Sequence, residues 1–427
     1  MKKQIVCATL LAGLSSATFA SKARMIALGE DGDRGSSVYS DVRNVFTNPA
    51  AMNRFKNMVT LEWGADAKGV ASNTDAAPRA EGGLFKDAGV IRYGVYHGYI
   101  ANFDRGYSDF KFGDAGTTTN TTAGGVTTTT TVNSVTANPA NVNDSAKHAT
   151  PGNSFNLFLA GDAGIEWGVR LQYASQTKKD HNAATTNLTD EYSFSGFGLG
   201  FGILMGDLSA SSNLTFTDKS EYKQPTVTNS LKGKFGFDLN VAYTWETFTF
   251  LGSFETRGLE HTPVSTNTVA NDEYTKTIFK FGAAHRCAVA ENVSVVTTGK
   301  FVMNNQKKVA KTSATASTET KINTTTLPVT VAVEAAATPW LTLRGSVSQS
   351  LLINNQKTET TTTPAPATTT APSEEPATDT VVASGASLKF GDFSVDGLLG
   401  LSTAGSAKEG ALRFDRLLSR VSLNYVF

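Results

Sequence analysis

From Asn57 onward, apolar side chains recur at every second position through one segment after another. Ile165, Trp167, Val169, Leu171 and Tyr173 share one phase, and Glu166, Gly168, Arg170 and Gln172 take the other. Leu231, Phe235, Phe237, Leu239, Val241 and Tyr243 oppose Lys232, Lys234, Asp238 and Asn240. Phe248, Phe250 and Phe254 oppose Thr249, Ser253 and Glu255, and Leu341, Leu343 and Val347 oppose Thr342, Arg344 and Ser346. Successive side chains of a strand point to opposite faces, so each run predicts a strand with one greasy and one wettable face. One such strand would suit any half-buried sheet. A long series of them needs a wall that is greasy on one side throughout.

The connections sharpen this. Tight turns at Lys86-Asp87-Ala88-Gly89, Gly161-Asp162-Ala163-Gly164, Met205-Gly206-Asp207, Trp245-Glu246, Glu291-Asn292, Pro339-Trp340 and Gly391-Asp392 alternate with long polar stretches. The long stretches fall near 104–150, 179–189, 221–228, 261–271, 306–318, 356–379 and 403–413. That rhythm predicts an all-β, up-and-down antiparallel transmembrane β-barrel of about 16 strands, or 14 if the segments at 57–65 and 79–86 lie inside it. Two irregularities stand out. Phe194 is out of phase with Phe197, Leu199, Phe201 and Ile203, which predicts a bulge near Ser195-Gly196. Pro328 lacks a donor and is placed near the external rim.

The N-terminal region divides at two points. Lys2 and Lys3, the apolar run Ile5 to Leu14 and Thr18-Phe19-Ala20 predict a cleavable signal peptide over 1–20 and export to the bacterial outer membrane. Residues 21–56 lack strand alternation and are expected to form a periplasmic or lumenal plug, leaving 57–427 for the barrel. Cys287 is then the one cysteine of the exported chain, so no internal disulfide is expected.

Composition limits the alternatives. The 427 residues carry 38 Lys and Arg against 38 Asp and Glu, which gives no nucleic-acid footprint. Beyond the signal peptide no apolar run is long enough for a membrane helix, and a closed barrel is the other way to satisfy backbone groups in lipid. The Thr-rich tracts Thr117 to Thr131 and Thr360 to Thr380 are expected to be surface loops. The five histidines are scattered, and no spacing suggests a metal, cofactor or catalytic site, so no enzyme is expected.

If the apolar face meets lipid, the other lines a lumen. The pore-lining candidates are Arg92, Arg170, Lys232, Lys234, Lys276, Lys280, Lys300 and Arg344, with Glu166 and Glu255. Their basic excess points to an anion-favouring pore. The opposing reading pairs these charges with one another or with the plug.

Two resemblances follow from particular residues. The last strand, with Val421, Leu423, Tyr425 and Phe427 on one face, resembles the terminal strand of bacterial outer-membrane barrels. That likeness implies that Phe427 and Tyr425 are read by the assembly machinery. Ala23-Arg24-Met25-Ile26-Ala27-Leu28-Gly29, followed by Asp41-Val42-Arg43-Asn44-Val45-Phe46-Thr47-Asn48-Pro49-Ala50, resembles the N-terminal segment of the long-chain fatty acid transporter family and its porin-like relatives. The resemblance implies a hatch inside the barrel, with Asn48, Pro49 and Ala50 among its residues. It also implies gated transport of hydrophobic compounds.

The expected function is therefore a channel for passive diffusion of small polar, anionic solutes. A gated transporter of hydrophobic compounds and a surface-display or adhesion barrel stand as alternatives. Outer-membrane lipid, the assembly machinery and small solutes are the expected partners, and homo-oligomers are left open.

Overall fold

A computed structural model of the chain describes residues 21–64, 79–100, 103, 117–123, 126–132, 154–181, 188–224, 227–262, 272–311, 317–363, 368–373, 380–404 and 420–427. The signal peptide expected over 1–20 lies outside the described residues.

Sixteen strands close a single antiparallel barrel. They are β1 (Met58–Gly64), β2 (Arg79–Asp87), β3 (Ile91–His97), β4 (Ser154–Asp162), β5 (Glu166–His181), β6 (Leu188–Met205), β7 (Leu208–Gln224) and β8 (Val227–Gly233 continued as Gly236–Trp245). There follow β9 (Phe248–Thr262), β10 (Asp272–Ala290), β11 (Val293–Lys311), β12 (Ser317–Thr338), β13 (Leu341–Thr363), β14 (Thr380–Phe390), β15 (Phe393–Ala404) and β16 (Arg420–Val426). Each strand pairs with its neighbour in sequence, and β1 pairs with β16, Met58 opposite Val426, to complete the cylinder.

The two faces of the wall follow the alternation. Trp63, Tyr93, Tyr173, Tyr243, Phe250, Phe281, Trp340, Leu343 and Tyr425 point outward and are exposed. So large an apolar surface is stable only against lipid or detergent. Tyr93, Trp167, Tyr243, Trp340 and Tyr425 lie close to the tight turns, and Trp63 lies toward the far end of β1. This is the spacing of aromatic girdles at the two membrane interfaces. Phe427 extends the lower girdle: its N–H donates to the Asn57 carbonyl at 2.9 Å, and its ring lies 4.9 Å from the Lys86 ammonium. Deleting Phe427 is expected to lower the yield of inserted, heat-modifiable barrel. Normal insertion would remove the terminal ring from any role in assembly.

Several expectations are corrected. Phe194 makes no bulge near Ser195-Gly196: it points inward in phase with Gly196, Gly198, Gly200 and Gly202, and packs 5.7 Å from Phe103. The register shift falls instead at Phe197/Gly198, because β7 holds one extra residue, with Phe216 and Thr217 both exposed. Beside it, β8 breaks at Lys234-Phe235. The two extra residues sit in neighbouring strands and reverse the phase above them. Leu231 is therefore fully buried on the inner face, and Lys232 points out. Pro328 pairs with Ser350 at the outer edge of the apolar belt, where the β11–β12 ladder skips from Val329 to Thr326.

Many of the expected loops are also strand. Crossing a membrane takes about 9–11 strand residues, yet β12 has 22 and β13 has 23. Within the expected loop 104–150, Thr117–Ala123 pairs with Val126–Val132 as a separate hairpin. Within 356–379, Thr368–Ser373 pairs back onto β13. Threonine is β-branched and favours strands. Once the wall rises out of lipid, both faces are wetted and alternation fades while ladder pairing continues.

Candidate functional site: a hatch seated in the barrel wall

Residues 21–56 fill the lumen as three short helical pieces, α1 (Lys22–Ala27), α2 (Asn44–Thr47) and a 3₁₀ turn (Pro49–Arg54). Local chemistry starts each turn. Ser21 Oγ caps α1 by accepting from the Arg24 N–H at 3.1 Å. Asn48 Oδ1 accepts from the Ala50 N–H at 3.0 Å, with Pro49 at the first helical position. Asn48, Pro49 and Ala50 thus lie in the hatch, and all three are buried.

The same Asn48 ties this turn to the wall. Its Nδ2 donates to Ser209 Oγ at 2.9 Å and to the Ile203 carbonyl at 3.2 Å. Asn53 Nδ2 donates to the carbonyls of Gly161 (3.1 Å) and Trp167 (3.2 Å), and Arg92 Nη1 donates to Asn53 Oδ1 at 2.6 Å. Two glycines make the approach possible. A Cβ at Gly168 would lie 2.3 Å from the Pro49 carbonyl carbon, and one at Gly202 would lie 1.9 Å from Asn48 Oδ1. The inward face of β6, Gly196, Gly198, Gly200 and Gly202, is a slot without side chains. Phe103 occupies its other end, over Gly196.

Apolar packing holds the hatch on two sides. Val42, Val45, Phe46, Met52 and Phe55 join Phe85, Tyr96, Tyr99 and Phe158 in one cluster, while Met25, Leu28 and Tyr39 join Ala284, Val296 and Ala332 in another. Sequence reasoning missed these wall positions, but the signal was present. At Leu84-Phe85, Val95-Tyr96, Leu157-Phe158, Val295-Val296 and Val331-Ala332-Val333 the expected polar phase is filled by apolar residues. Such runs mark wall that is apolar on both faces.

Charge completes the seat. Arg43 is fully buried; its Nη1 lies 2.8 Å from Glu81 Oε1 and 3.6 Å from Glu62 Oε1, and also donates to the Tyr96 hydroxyl at 2.9 Å. Lys22 Nζ lies 2.7 Å from Asp33 and 2.9 Å from Glu81. Arg24 pairs with Glu334 at 3.0 Å, which also meets Arg344 at 2.6 Å; Arg344 reaches Asp396 at 2.9 Å. Arg34 meets Glu255 at 2.8 Å, and Glu255 meets Arg257 at 2.6 Å. Burial alone would raise the Asp33 carboxyl, but Lys22 and Arg43 hold it well below its ordinary range. At Asp41 burial wins over Arg24 and pushes the carboxyl up to about 7.

The pore-lining candidates therefore divide. Arg92, Arg170, Glu166, Glu255, Lys276, Lys280, Lys300 and Arg344 face inward. Arg92, Glu255, Lys300 and Arg344 are drawn into contacts with the hatch or the wall, Lys300 through Glu30 at 3.1 Å. Lys276 stands opposite Arg257 on the inner face. Lys232 points outward and Lys234 pairs with Glu273 at 2.7 Å, 43% exposed, because of the phase reversal in β8. Pairing thus neutralises part of the expected basic excess of the lumen, at Lys300 and Arg344.

One cavity of about 900 Å³ remains between the hatch and strands β6–β12. It is bordered by the tight turns at Gly206-Asp207, Glu246-Thr247 and Asn292, so it lies at the plain-turn end of the barrel. Arg34, Glu255, Lys280, Arg286, Ser209 and Asn213 are among its lining groups, a wettable wall with both signs of charge.

An outward apolar belt, a wettable inner wall and an inserted N-terminal segment define a transmembrane β-barrel with an internal hatch. No protein-family model matches the sequence, and no curated protein matches it. Among solved structures, the chain is similar to the toluene transporter TodX from Pseudomonas putida, at 10% identity and a TM-score of 0.38, covering 96% of this chain and 98% of that one. It is also similar to the siderophore receptor PirA from Acinetobacter baumannii, at 9% identity and a TM-score of 0.36, covering 83% of this chain. CdiB from Escherichia coli matches at 12% identity and a TM-score of 0.37, covering 86% of this chain. The chain spans 63% of the length of each of the last two.

Proposed function

We propose that the protein is an exported bacterial outer-membrane channel that is closed at rest by its own hatch and passes small polar solutes when the hatch moves. The observation that carries this reading is the seat. The hatch is bonded to wall groups on β2, β5, β6, β9, β11 and β12, among them Glu81, Trp167, Ile203, Glu255, Lys300 and Glu334. A barrel of this strand number is otherwise wide enough to hold a water-filled channel. The wettable lining of the cavity supports polar solutes over greasy ones, and the paired charges support size and polarity as the main filters in the closed form. Transport is passive, with no catalytic step.

Planar-bilayer recording tests the reading. The full exported chain is expected to be mostly silent, and a variant lacking residues 22–54 to give a large, ohmic conductance. Equal conductance of the two would show that the hatch does not close the pore. Uptake of a fluorescent fatty acid by vesicles carrying the full chain, with no polar-solute flux, would favour transport of hydrophobic compounds.

A further inference from the structure

Arg170 is a candidate from the sequence that no carboxylate of the seat neutralises. It is 1% exposed, and no carboxylate pairs with it among the described residues. Nη2 donates to Asn213 Oδ1 at 2.8 Å, while Nε and Nη1 have no acceptor among the described residues. Two neighbours on the same inward face share this condition. Among the described residues, Gln172, two residues along β5, has an unsatisfied Oε1, and Asn156, directly opposite Gln172 on β4, has neither Nδ2 nor Oδ1 bonded. Buried polar groups are nearly always paired, so a cluster of unpaired ones calls for an explanation in function.

What covers the cluster belongs to the closed state. The Tyr99 ring lies 5.4 Å from the Arg170 guanidinium, and the Tyr99 carbonyl accepts from Gln172 Nε2 at 3.3 Å. Tyr99 is in turn held by the hatch, stacked on Phe46 at 3.9 Å and 10°. Asn213, which accepts from Arg170, donates its Nδ2 to the Thr47 carbonyl of the hatch at 3.1 Å. Withdrawal of the hatch removes the ring stacked on Tyr99 and the bond to Asn213 together, while Ser154 Oγ still donates to the Tyr99 carbonyl. Opposite, Gly198 and Gly200 bring no side chain into the space before Gln172 and Arg170.

We propose that Arg170, with Gln172 and Asn156, is a small-oxyanion site of the open channel, covered in the closed state by Tyr99. The guanidinium would offer two parallel N–H groups to one oxyanion, the geometry that suits phosphate and carboxylate. The site would favour anionic solutes inside a lumen where Arg344, Lys300 and Glu255 are already paired. This rests on the reading that the hatch moves.

The test uses the full exported chain in detergent, with inorganic phosphate as the probe. In Tyr99→Ala, phosphate is expected to raise the melting temperature in a saturable way, and chloride at equal ionic strength is not. Adding Arg170→Gln should weaken half-saturation at least about tenfold, with Arg170→Lys intermediate. The wild type should respond less than Tyr99→Ala. A phosphate response that survives Arg170→Gln, or no gain in Tyr99→Ala over wild type, overturns the site. If Tyr99→Ala does not insert, Phe46→Ala, which removes the ring pinning Tyr99, carries the same comparison. Because binding is read without conductance, the site can fail while the hatch still gates, and the hatch can fail while phosphate still binds.

Discussion

Replacing Gly168 with valine is expected to open the barrel. The inner wall at this residue touches the main chain of Pro49 and Ala50, and a Cβ there would lie 2.3 Å and 2.4 Å from backbone atoms that cannot rotate away. The hatch must then lift, and with it go the bonds from Asn48 Nδ2 to Ser209 and from Asn53 Nδ2 to Gly161 and Trp167. Each is worth about 1 kcal/mol net, so their joint loss, about 3 kcal/mol, adds to the steric clash in shifting the balance towards open by about a hundredfold. The barrel itself should still form, because the pairing partners of Gly168, Ala160 and Gly202, keep their ladder bonds. In planar bilayers the variant should conduct steadily where the wild type is silent. Gly252→Ala, on a position with nothing within 4 Å of an added Cβ, is the control and should remain closed. A silent Gly168→Val barrel of normal heat-modifiability would show that the Pro49–Arg54 turn is not the latch.

The second large effect is on stability. Arg344 bridges Glu334 at 2.6 Å and Asp396 at 2.9 Å, and its side chain is fully buried. Arg344→Ala leaves Asp396 buried without its cation and returns Glu334 to Arg24 alone. Breaking a buried pair from one side costs about 3–5 kcal/mol, since the stranded charge cannot return to water. Urea unfolding of the barrel in detergent, followed by tryptophan fluorescence, should show a loss of that order. Lys276→Gln, on the same inner wall, should lose less than about 1 kcal/mol. The selectivity of a hatch-free pore should hardly respond to Arg344→Ala. A large change in selectivity with unchanged stability would place the side chain in open water.

The barrel was legible because lipid imposes one rule on every strand at once. Where that rule operates, parity assigned the faces of Trp167, Arg170, Leu239 and Leu423 as the structure has them. It failed at Lys232 and Lys234, where one added residue in β8 turns the wall over, an event with no compositional mark of its own. It failed again above the lipid, where β12 and β13 continue through Thr-rich sequence that looks like loop. The hatch was legible as a segment, and Asn48-Pro49-Ala50 as its turn. The part of its seat under the Asn48-Pro49-Ala50 turn was not, because the positions that receive that turn are glycines. Gly168 and Gly202 act by what they lack, and a pattern of polar and apolar letters does not register an absence. The alternation Gly196, Gly198, Gly200, Gly202 is the trace that such a slot leaves.

The unequal strands have a consequence for the mouth. At about 3.3 Å per residue, the 23 residues of β13 reach roughly three times as far as the 7 of β1 or β3. The rim described by the strands is thus a scoop with a low sill on one flank and a tall parapet on the other. A bulky visitor such as an antibody would strike the parapet first. On the sill side β1 and β3, among the described strands, raise no such wall.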